Sequence, residues 1–247
     1  MVKRRRLPDL KIMSKRNEVI LAVGAHQDDI DFIASGSIAK WIGEGAVVYY
    51  LLCTNGNKGS DDPKMTSAKL AKIRRKEQED AAKVLGVKKV YFLNHHDTEL
   101  EPTLELKKEI VKVIRKIRPA LVVTLDPTAR YSIDLGYINH PDHIAAAEAT
   151  LSAVFPLARD RLTFPDLAKK GFAPHKVKEI LLTAFEKPNF IVDITDTLDL
   201  KIKALKEHKS QIKDPSQMEK MIKLWARRSG RKIKAKYAEG FKRIVLR

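Results

Sequence analysis

The sequence predicts an α/β fold with a Rossmann-like layout, in which helices cover both faces of a mostly parallel sheet. Three observations predict it. Short apolar runs alternate with amphipathic helical segments, polar loops rich in glycine and asparagine separate them, and glycine or proline marks several helix ends. The chain has 247 residues, of which 44% are hydrophobic, so it can bury the core of one globular domain. We expect a single domain over residues 1–247.

The first half of the chain alternates strands and helices. Apolar runs predict strands at residues 18–23, 47–53, 90–93 and 121–125. The spacing of apolar residues predicts helices at 36–42, 67–85 and 104–117. Gly43 stops the first helix, Gly86 is the expected C-cap of the second, and the third ends before Pro119. This alternation predicts parallel strands joined by crossover helices.

The second half continues the pattern with shorter elements. It contains predicted strands at 180–183 and 190–192 and predicted helices at 144–149, 197–208 and 217–225. Residues 1–16 are expected to be a solvated basic leader, because no apolar segment of a signal peptide follows the basic residues. Residues 214–247 are expected to form a helical C-terminal extension that covers a pocket or forms a subunit contact.

The net charge of +17 raises the alternative of a nucleic-acid-binding protein or a membrane-surface partner. However, the basic residues are spread through helices that also carry acids, no helix-turn-helix or zinc-finger spacing occurs, and aromatic residues make up only 6%. A solvated charged surface is therefore favoured, and no nucleic-acid partner is expected. A charged fraction of 32% with abundant lysine also indicates a thermostable protein.

The lone cysteine bears on the cellular setting. Cys53 allows no internal disulfide, which favours a reducing cytoplasm, and its apolar surroundings indicate a buried, unreactive side chain. No apolar stretch has the length of a membrane span. The chain is therefore expected to be cytoplasmic.

Two clusters of histidine and aspartate follow predicted strands. Residues 26–29 read His-Gln-Asp-Asp, and residues 140–143 read His-Pro-Asp-His. Open parallel sheets bind their ligands outside the carboxyl ends of the strands, and a catalytic metal commonly takes three protein ligands. His26, one of the two aspartates, and one histidine of the second cluster would supply them, with the other aspartate as general base. Spacing alone does not decide which aspartate is which.

Other catalytic motifs are missing from the sequence. The first strand is not followed by a Gly-x-Gly-x-x-Gly turn, and the chain has neither a P-loop nor a Gly-x-Ser-x-Gly elbow. A metallohydrolase is the favoured interpretation. Another metalloenzyme that uses two histidines and one carboxylate, such as an iron(II) oxygenase, is the alternative, although those sites usually lie in β-barrels.

Both clusters resemble motifs of the LmbE/PIG-L family of zinc-dependent N-acetylglucosaminyl deacetylases. The first resembles the family's Ala-His-Pro-Asp-Asp motif, and Asn139-His140-Pro141-Asp142-His143 resembles the second motif. Further family-like residues are 54–59, Arg74 with Glu77 and 81–87, Asp97 with Leu100, 192–196, 203–205, 208–211 and 237–241. The resemblance therefore extends over roughly residues 18–245, and it implies hydrolysis of an acetamide to acetate and a free amine.

The resemblance implies a role for each matching residue. The zinc ligands would be His26, Asp29 and His143. Asp28 would be the general base that accepts a proton from the attacking water. His140 would stabilise the oxyanion or protonate the leaving amine, and Asp142 would hold the His140 ring.

Two further matches imply contacts with the substrate, a small N-acetyl sugar or sugar conjugate. Arg74 would meet the sugar and Asp97 would bind its hydroxyl groups. The ordinary alternatives are a solvated Arg74 paired with Glu77 or Gln78, and an Asp97 that caps a turn. The resemblance also makes a homo-oligomer plausible.

The sequence departs from the family pattern at three places. Gln27 replaces the usual proline, and Asp31 stands where glutamate is common. The loop over residues 126–139 is long and contains Tyr131 and Tyr137, neither of which aligns with the tyrosine that some relatives use in catalysis. Both tyrosines are expected to be rim or packing residues.

Overall fold

A computed structural model describes residues 17–133, 136–183 and 187–247. The predicted basic leader, residues 1–16, lies outside the described residues. In these ranges the main sheet has seven strands in the order β3-β2-β1-β4-β7-β9-β8, and β5 pairs with β6 in a small hairpin. The strands are β1 Val19–Gly24, β2 Val47–Thr54, β3 Lys89–His95, β4 Leu121–Thr124, β5 Tyr131–Ser132, β6 Tyr137–Ile138, β7 Glu179–Thr183, β8 Phe190–Asp193 and β9 Ala238–Val245.

Helices cover both faces of the sheet, as the sequence predicts. They are α1 Asp29–Gly43, α2 Ser67–Leu85, α3 Leu104–Ile117, α4 Pro141–Ser152, α5 Pro165–Lys169, α6 Leu198–Leu205 and α7 Pro215–Gly230, and a π-helical turn, Ala153–Leu157, continues α4. Alternate residues of β1 enter different cores: Ile20 and Ala22 pack under α1, α6 and α7, whereas Leu21 and Val23 pack under α3 and α4. Burial on both faces explains why the parallel strands are continuous apolar runs. No helix in the described part of the chain is long and apolar enough to cross a membrane.

The pairing of the strands is parallel except at β9. β1 pairs in parallel with β2 and β4, β2 with β3, and β4 with β7, whereas β9 is antiparallel to both β7 and β8. The chain moves outward from β1 to β3 and returns to place β4 on the other side of β1. The crevice beyond β1 and β4 is thus the topological switch point of the sheet, where open α/β folds bind ligands.

The C-terminal part differs from its prediction. α7 confirms the helical part of the predicted extension, but the strand β9 was missed, and it lies inside the sheet between β7 and β8. Glu239, Lys242 and Arg243 interrupt the apolar pattern of β9, and each forms an ion pair, with Lys201, Asp126 and Glu179 respectively. Because paired charges replace apolar side chains, the usual pattern of a strand is absent.

Candidate metal centre

The first cluster forms the turn from β1 into α1. The helix begins at Asp29, earlier than predicted, and Asp28 precedes it in the left-handed backbone region with φ of 89°. The Asp29 side chain folds back on the turn, where its Oδ2 accepts hydrogen bonds from the backbone N–H groups of Ala25 at 2.9 Å and His26 at 2.8 Å. These bonds fix the carboxylate before any ligand binds.

The second cluster begins α4. His140 is the N-cap residue, and its Nδ1 accepts the backbone N–H of Asp142 at 3.2 Å, with Pro141 in the first turn. His143 follows one turn later. The ring centroids of His140 and His143 lie 5.4 Å apart, and the His26 ring lies 4.6 Å from the first and 5.2 Å from the second. The two clusters, more than a hundred residues apart in sequence, therefore meet in one crevice.

Among the residues that the structure describes, two sets of metal-ligating side chains have ligand atoms within 4.8 Å of one another, and both include His26. The smaller set is His26, Asp29 and His143, which are the three predicted ligands. In it, Nε2 of His143 lies 3.0 Å from Oδ1 of Asp29, and Nδ1 of His26 lies 3.7 Å from Oδ2 of Asp29. The larger set is His26, Asp97, His140 and Asp142.

Hydrogen bonding distinguishes the two sets. Asp142 is fully buried, and its Oδ2 accepts the backbone N–H of Thr98 at 2.7 Å and faces Nε2 of His26 at 3.1 Å. Nε2 of His26 lies equally close to Oδ1 of Asp97, at 3.1 Å. Metal-binding histidines usually donate their second ring N–H to such a carboxylate. His26 is thus oriented with Nδ1 toward Asp29, which favours the smaller set as a metal site.

The electrostatics of the crevice favour a bound cation. Burial lowers the pKa of His26, but hydrogen bonds with Asp142, Asp29 and Asp97 outweigh it and raise that pKa to about 12. Burial alone would raise the pKa of Asp29, yet His143 and His26 hold it well below its usual range. The carboxylates therefore require positive charge between them, and two imidazoles with one carboxylate suit a divalent transition metal.

The remaining titratable groups differ from these ligand candidates. Burial raises the pKa of Asp28 to about 6, although Arg74 opposes the shift. Burial and the charge of His26 lower the pKa of His140. At neutral pH, Asp28 is therefore a carboxylate that can accept a proton, and His140 is a neutral imidazole.

Arg74 and Asp97 both lie at the crevice. The Arg74 guanidinium is buried: its Nη2 donates to the Gln27 carbonyl at 2.9 Å and lies 3.6 Å from Oδ1 of Asp28, and its Nη1 lies 3.5 Å from Oδ2 of Asp97. Arg74 thus braces two site carboxylates. Arg74 is therefore not a solvated residue paired with Glu77, since Glu77 accepts hydrogen bonds from Ser210 instead. The Asp97 carboxylate faces His26 and Arg74, as a side chain of the crevice does.

Sequence reasoning missed a buried network behind Asp28. Oε1 of Gln78 accepts the Asp28 backbone N–H at 3.1 Å, and its Nε2 donates to Asp31 at 2.8 Å. Asp31 also accepts from the Tyr50 hydroxyl at 3.1 Å and faces Nε2 of His208 at 2.8 Å. His208 is one of the family-like residues and Gln78 is not, and only the fold reveals that both contact Asp31.

Gln27 connects the first cluster to the loop after β2. Its Nε2 donates to the Thr54 carbonyl at 3.1 Å. Its Oε1 lies against Gly56, where an added Cβ would come within 2.1 Å of that oxygen and 2.9 Å of Nε of Arg74. Gly56 has φ of +60°, so both the backbone and the space require glycine.

The two loop tyrosines lie at the rim, as expected. Tyr131 is 69% exposed and Tyr137 is 47% exposed. The Tyr137 hydroxyl donates to Oδ1 of Asn139 at 2.7 Å. Tyr137 is therefore engaged with the residue that precedes the second cluster.

The fold and the crevice together define an α/β protein with a buried histidine-aspartate centre at the switch point of its sheet. The family model described as PIG-L, GlcNAc-PI de-N-acetylase, matches residues 21–154, which include both clusters. The chain belongs to this family of amide hydrolases, and the resemblance drawn from the two motifs is confirmed.

Individual relatives match most of the chain. Diacetylchitobiose deacetylase of Thermococcus kodakarensis is 35% identical over 95% of this chain and 86% of its own length. A probable N-acetyl-alpha-D-glucosaminyl L-malate deacetylase 2 of Bacillus anthracis is 28% identical over 80% of this chain and 83% of its own. The solved structure of N,N'-diacetylchitobiose deacetylase from Pyrococcus horikoshii superposes with a TM-score of 0.85 at 35% identity, covering 92% of this chain and 84% of that one.

Proposed function

We propose that this protein is a zinc-dependent deacetylase that hydrolyses the acetamide of an N-acetylglucosamine-containing substrate and releases acetate and a free amine. The observation that carries the proposal is the convergence of five side chains in one crevice. These are His26, Asp28, Asp29, His140 and His143. Support also comes from the relatives, whose names describe removal of acetyl groups from acetylated sugars.

In the proposed site, His26, Asp29 and His143 hold the metal. The donor set fits zinc, since neutral imidazole and carboxylate are both zinc ligands and Asp142 orients His26 from behind. When bound, zinc supplies a Lewis acid for the acetamide carbonyl and makes water more acidic.

Asp28 is the proposed general base. With a pKa of about 6 its carboxylate is ionised at neutral pH yet basic enough to accept a proton from the water that attacks the carbonyl carbon. Arg74 keeps that carboxylate ionised, because its guanidinium lies 3.6 Å away. Gln78 and the left-handed backbone of Asp28 fix the direction in which the side chain leaves the turn.

His140 is the proposed donor to the developing oxyanion or to the leaving amine. Its Nδ1 accepts the Asp142 N–H, so the hydrogen of the neutral ring is on Nε2, which faces the crevice 3.9 Å from Asp97. A neutral donor at that position stabilises negative charge as it forms on the carbonyl oxygen. Asp142 therefore contacts two histidines in different ways: its carboxylate faces His26, whereas its backbone N–H donates to His140.

Arg74 and Asp97 are the proposed substrate-binding residues. Asp97 is the better placed of the two, because its Oδ1 lies 3.1 Å from Nε2 of His26 and 3.9 Å from Nε2 of His140, the proposed oxyanion donor. Arg74 acts mainly by bracing Asp97 and Asp28.

The test is acetate release from zinc-loaded protein, screened over N-acetylglucosamine, its oligomers, and its inositol and malate conjugates. We expect stoichiometric acetate and amine from at least one of them, and loss of zinc together with activity in His143→Ala. Absence of acetate from every conjugate would contradict the proposed substrate class. Full zinc content in His143→Ala would contradict the ligand assignment.

Several expectations stay predictions. A cytoplasmic setting is supported by Cys53, which is buried and forms no disulfide. A homo-oligomer is supported by the exposed apolar residues of the β5–β6 hairpin, Ile133 and Ile138, each 85% exposed. Thermostability is supported by the charged composition alone.

A further inference from the structure

His143 is held from the side opposite Asp29 by a residue outside the predicted site. Nδ1 of His143 lies 2.9 Å from Oδ1 of Asn139, whereas Nε2 lies 3.0 Å from Oδ1 of Asp29. The two ring nitrogens therefore face two different oxygens. One nitrogen belongs to the candidate metal set, and the other is engaged by Asn139.

The orientation of the Asn139 amide follows from its neighbours. Nδ2 of Asn139 donates to the carbonyl of Ala129 at 2.7 Å, and a carbonyl can only accept, so Oδ1 must be the atom turned toward His143. The Tyr137 hydroxyl donates to that same oxygen at 2.7 Å. The backbone N–H of Asn139 donates to the Arg130 carbonyl at 2.9 Å. Asn139 is thus fixed at the base of the β5–β6 hairpin.

An amide oxygen that only accepts dictates the protonation of the ring beside it. Nδ1 of His143 must carry the hydrogen, which leaves the lone pair of the neutral imidazole on Nε2, the nitrogen that faces Asp29. With the other tautomer, a lone pair of Nδ1 would face the Asn139 oxygen, which is repulsive. The contact therefore selects the tautomer that a metal ligand needs.

We propose that Asn139 is a positioning residue that fixes the tautomer and ring direction of His143 and thereby sets the zinc affinity, while Tyr137 ties the β5–β6 hairpin to that contact. The inference rests on the proposed function because it takes His143 as a zinc ligand. Tyr137 acts indirectly in this proposal, because its hydroxyl bonds to Asn139 and Asn139 contacts the zinc ligand His143.

The experiment measures the zinc dissociation constant of the full chain by competition with a chromophoric chelator. Asn139→Leu has nearly the same volume but no acceptor, and we expect it to bind zinc about 10–100-fold more weakly, the usual effect of losing such a partner. Asn139→Asp keeps an acceptor toward His143 but loses the donor to the Ala129 carbonyl, so it is expected to restore only part of the affinity. Tyr137→Phe removes one of the two donors to Oδ1 and should lose less, and Tyr131→Phe, in the same hairpin, is the matched control with unchanged affinity. Wild-type zinc affinity in folded Asn139→Leu would overturn the proposal.

A second measurement uses the wild-type protein and so does not depend on the folding of a variant. Imidazole ¹⁵N resonances of the zinc-loaded wild-type protein report which nitrogen of His143 carries hydrogen, and we expect Nδ1; hydrogen on Nε2 would overturn the inference. The variant His143→Ala distinguishes a failure of the ligand assignment from a failure of the role proposed for Asn139. If it loses zinc while Asn139→Leu keeps full affinity, only the role of Asn139 fails. If His143→Ala itself keeps zinc, the ligand assignment of the proposed function fails.

Discussion

The half of the site that follows β1 is buried, whereas the half that follows β4 is open. The His26 and Asp29 side chains are each 7% exposed, and those of His140 and His143 are 34% and 20% exposed. The buried half is held by β1, α1 and α2, three elements of one core. The open half begins α4 and borders the β5–β6 hairpin, which presents exposed apolar side chains.

This difference separates two tasks. Burial raises the pKa of Asp28, so the buried half creates the basicity. The carboxylates of Asp142, Asp29 and Asp97 surround His26 and attract a cation to it. The open half carries the groups that meet a substrate from solvent, and His140 remains a neutral donor there. Changes in the buried half should therefore remove chemistry or stability, whereas changes of exposed hairpin side chains outside the Tyr137–Asn139 contact, such as Tyr131, should leave both largely intact.

Asp28→Asn should have the largest effect. The amide keeps the shape of the side chain but cannot accept a proton, so we expect kcat to fall by about 10²–10⁴-fold while zinc content is retained. Acetate release and elemental analysis measure the two quantities. Asp61→Asn is the control, because it removes an exposed carboxylate of the loop after β2, which pairs with Lys213 away from the crevice. A variant with near-normal kcat would show that Asp28 is not the base.

Gly56→Ala should be next. Its Cβ would meet Oε1 of Gln27 at 2.1 Å in a left-handed backbone, so Gln27 and Arg74 must move and the brace on Asp28 is lost. We expect a loss of about 1–3 kcal/mol in the free energy of unfolding and a clear fall in kcat. Gly59→Ala is the matched control, since it also has positive φ but only Gln211 within 4 Å, at 3.8 Å. Equal effects of the two substitutions on kcat would contradict the steric account.

Gln78→Leu tests whether the buried network positions the base. The substitution leaves the Asp28 N–H without its partner and removes one of two contacts of Asp31 Oδ2, which keeps His208, at a cost of about 1–3 kcal/mol in unfolding free energy. We expect a lower kcat with little change in KM and unchanged zinc affinity. Gln78→Glu, which keeps an acceptor for Asp28 but places a charge beside Asp31, should not rescue stability. A wild-type kcat in Gln78→Leu would mean that the turn holds Asp28 unaided.

Tyr131→Ala should have the smallest effect. The side chain is 69% exposed on the hairpin, so the free energy of unfolding should change by less than about 0.5 kcal/mol. We also expect kcat to remain at the wild-type level when acetate release is measured at saturating substrate. A large loss of kcat with normal folding would place this tyrosine in the chemistry and would contradict the division between the two halves.

The alternation of strands and helices and the two histidine-aspartate clusters could be predicted from the sequence, because apolar runs and short motifs are local patterns. The strand β9 was missed, since Glu239, Lys242 and Arg243 break the alternation and are compensated by partners distant in sequence. The start of α1 was also placed too late, because the motif residues themselves form the first turn.

The supporting residues of the site were harder to predict. Gln78 lies 50 residues from Asp28 and His208 lies 177 residues from Asp31, so no local periodicity connects them. Asn139 stands beside the second motif, but its role depends on Ala129 accepting the amide N–H, a contact formed only by the hairpin. Such roles follow from hydrogen-bond direction, which a linear pattern does not contain.

The most direct test is a crystal structure of the zinc-loaded protein with anomalous data collected at the zinc absorption edge. We predict one strong peak that marks a zinc ion bound by Nδ1 of His26, by Asp29 and by Nε2 of His143. Asp28 and His140 should not contact the metal. A peak bound instead by Asp97, His140 and Asp142 would contradict both the ligand assignment and the role of Asp142 as the carboxylate that orients His26.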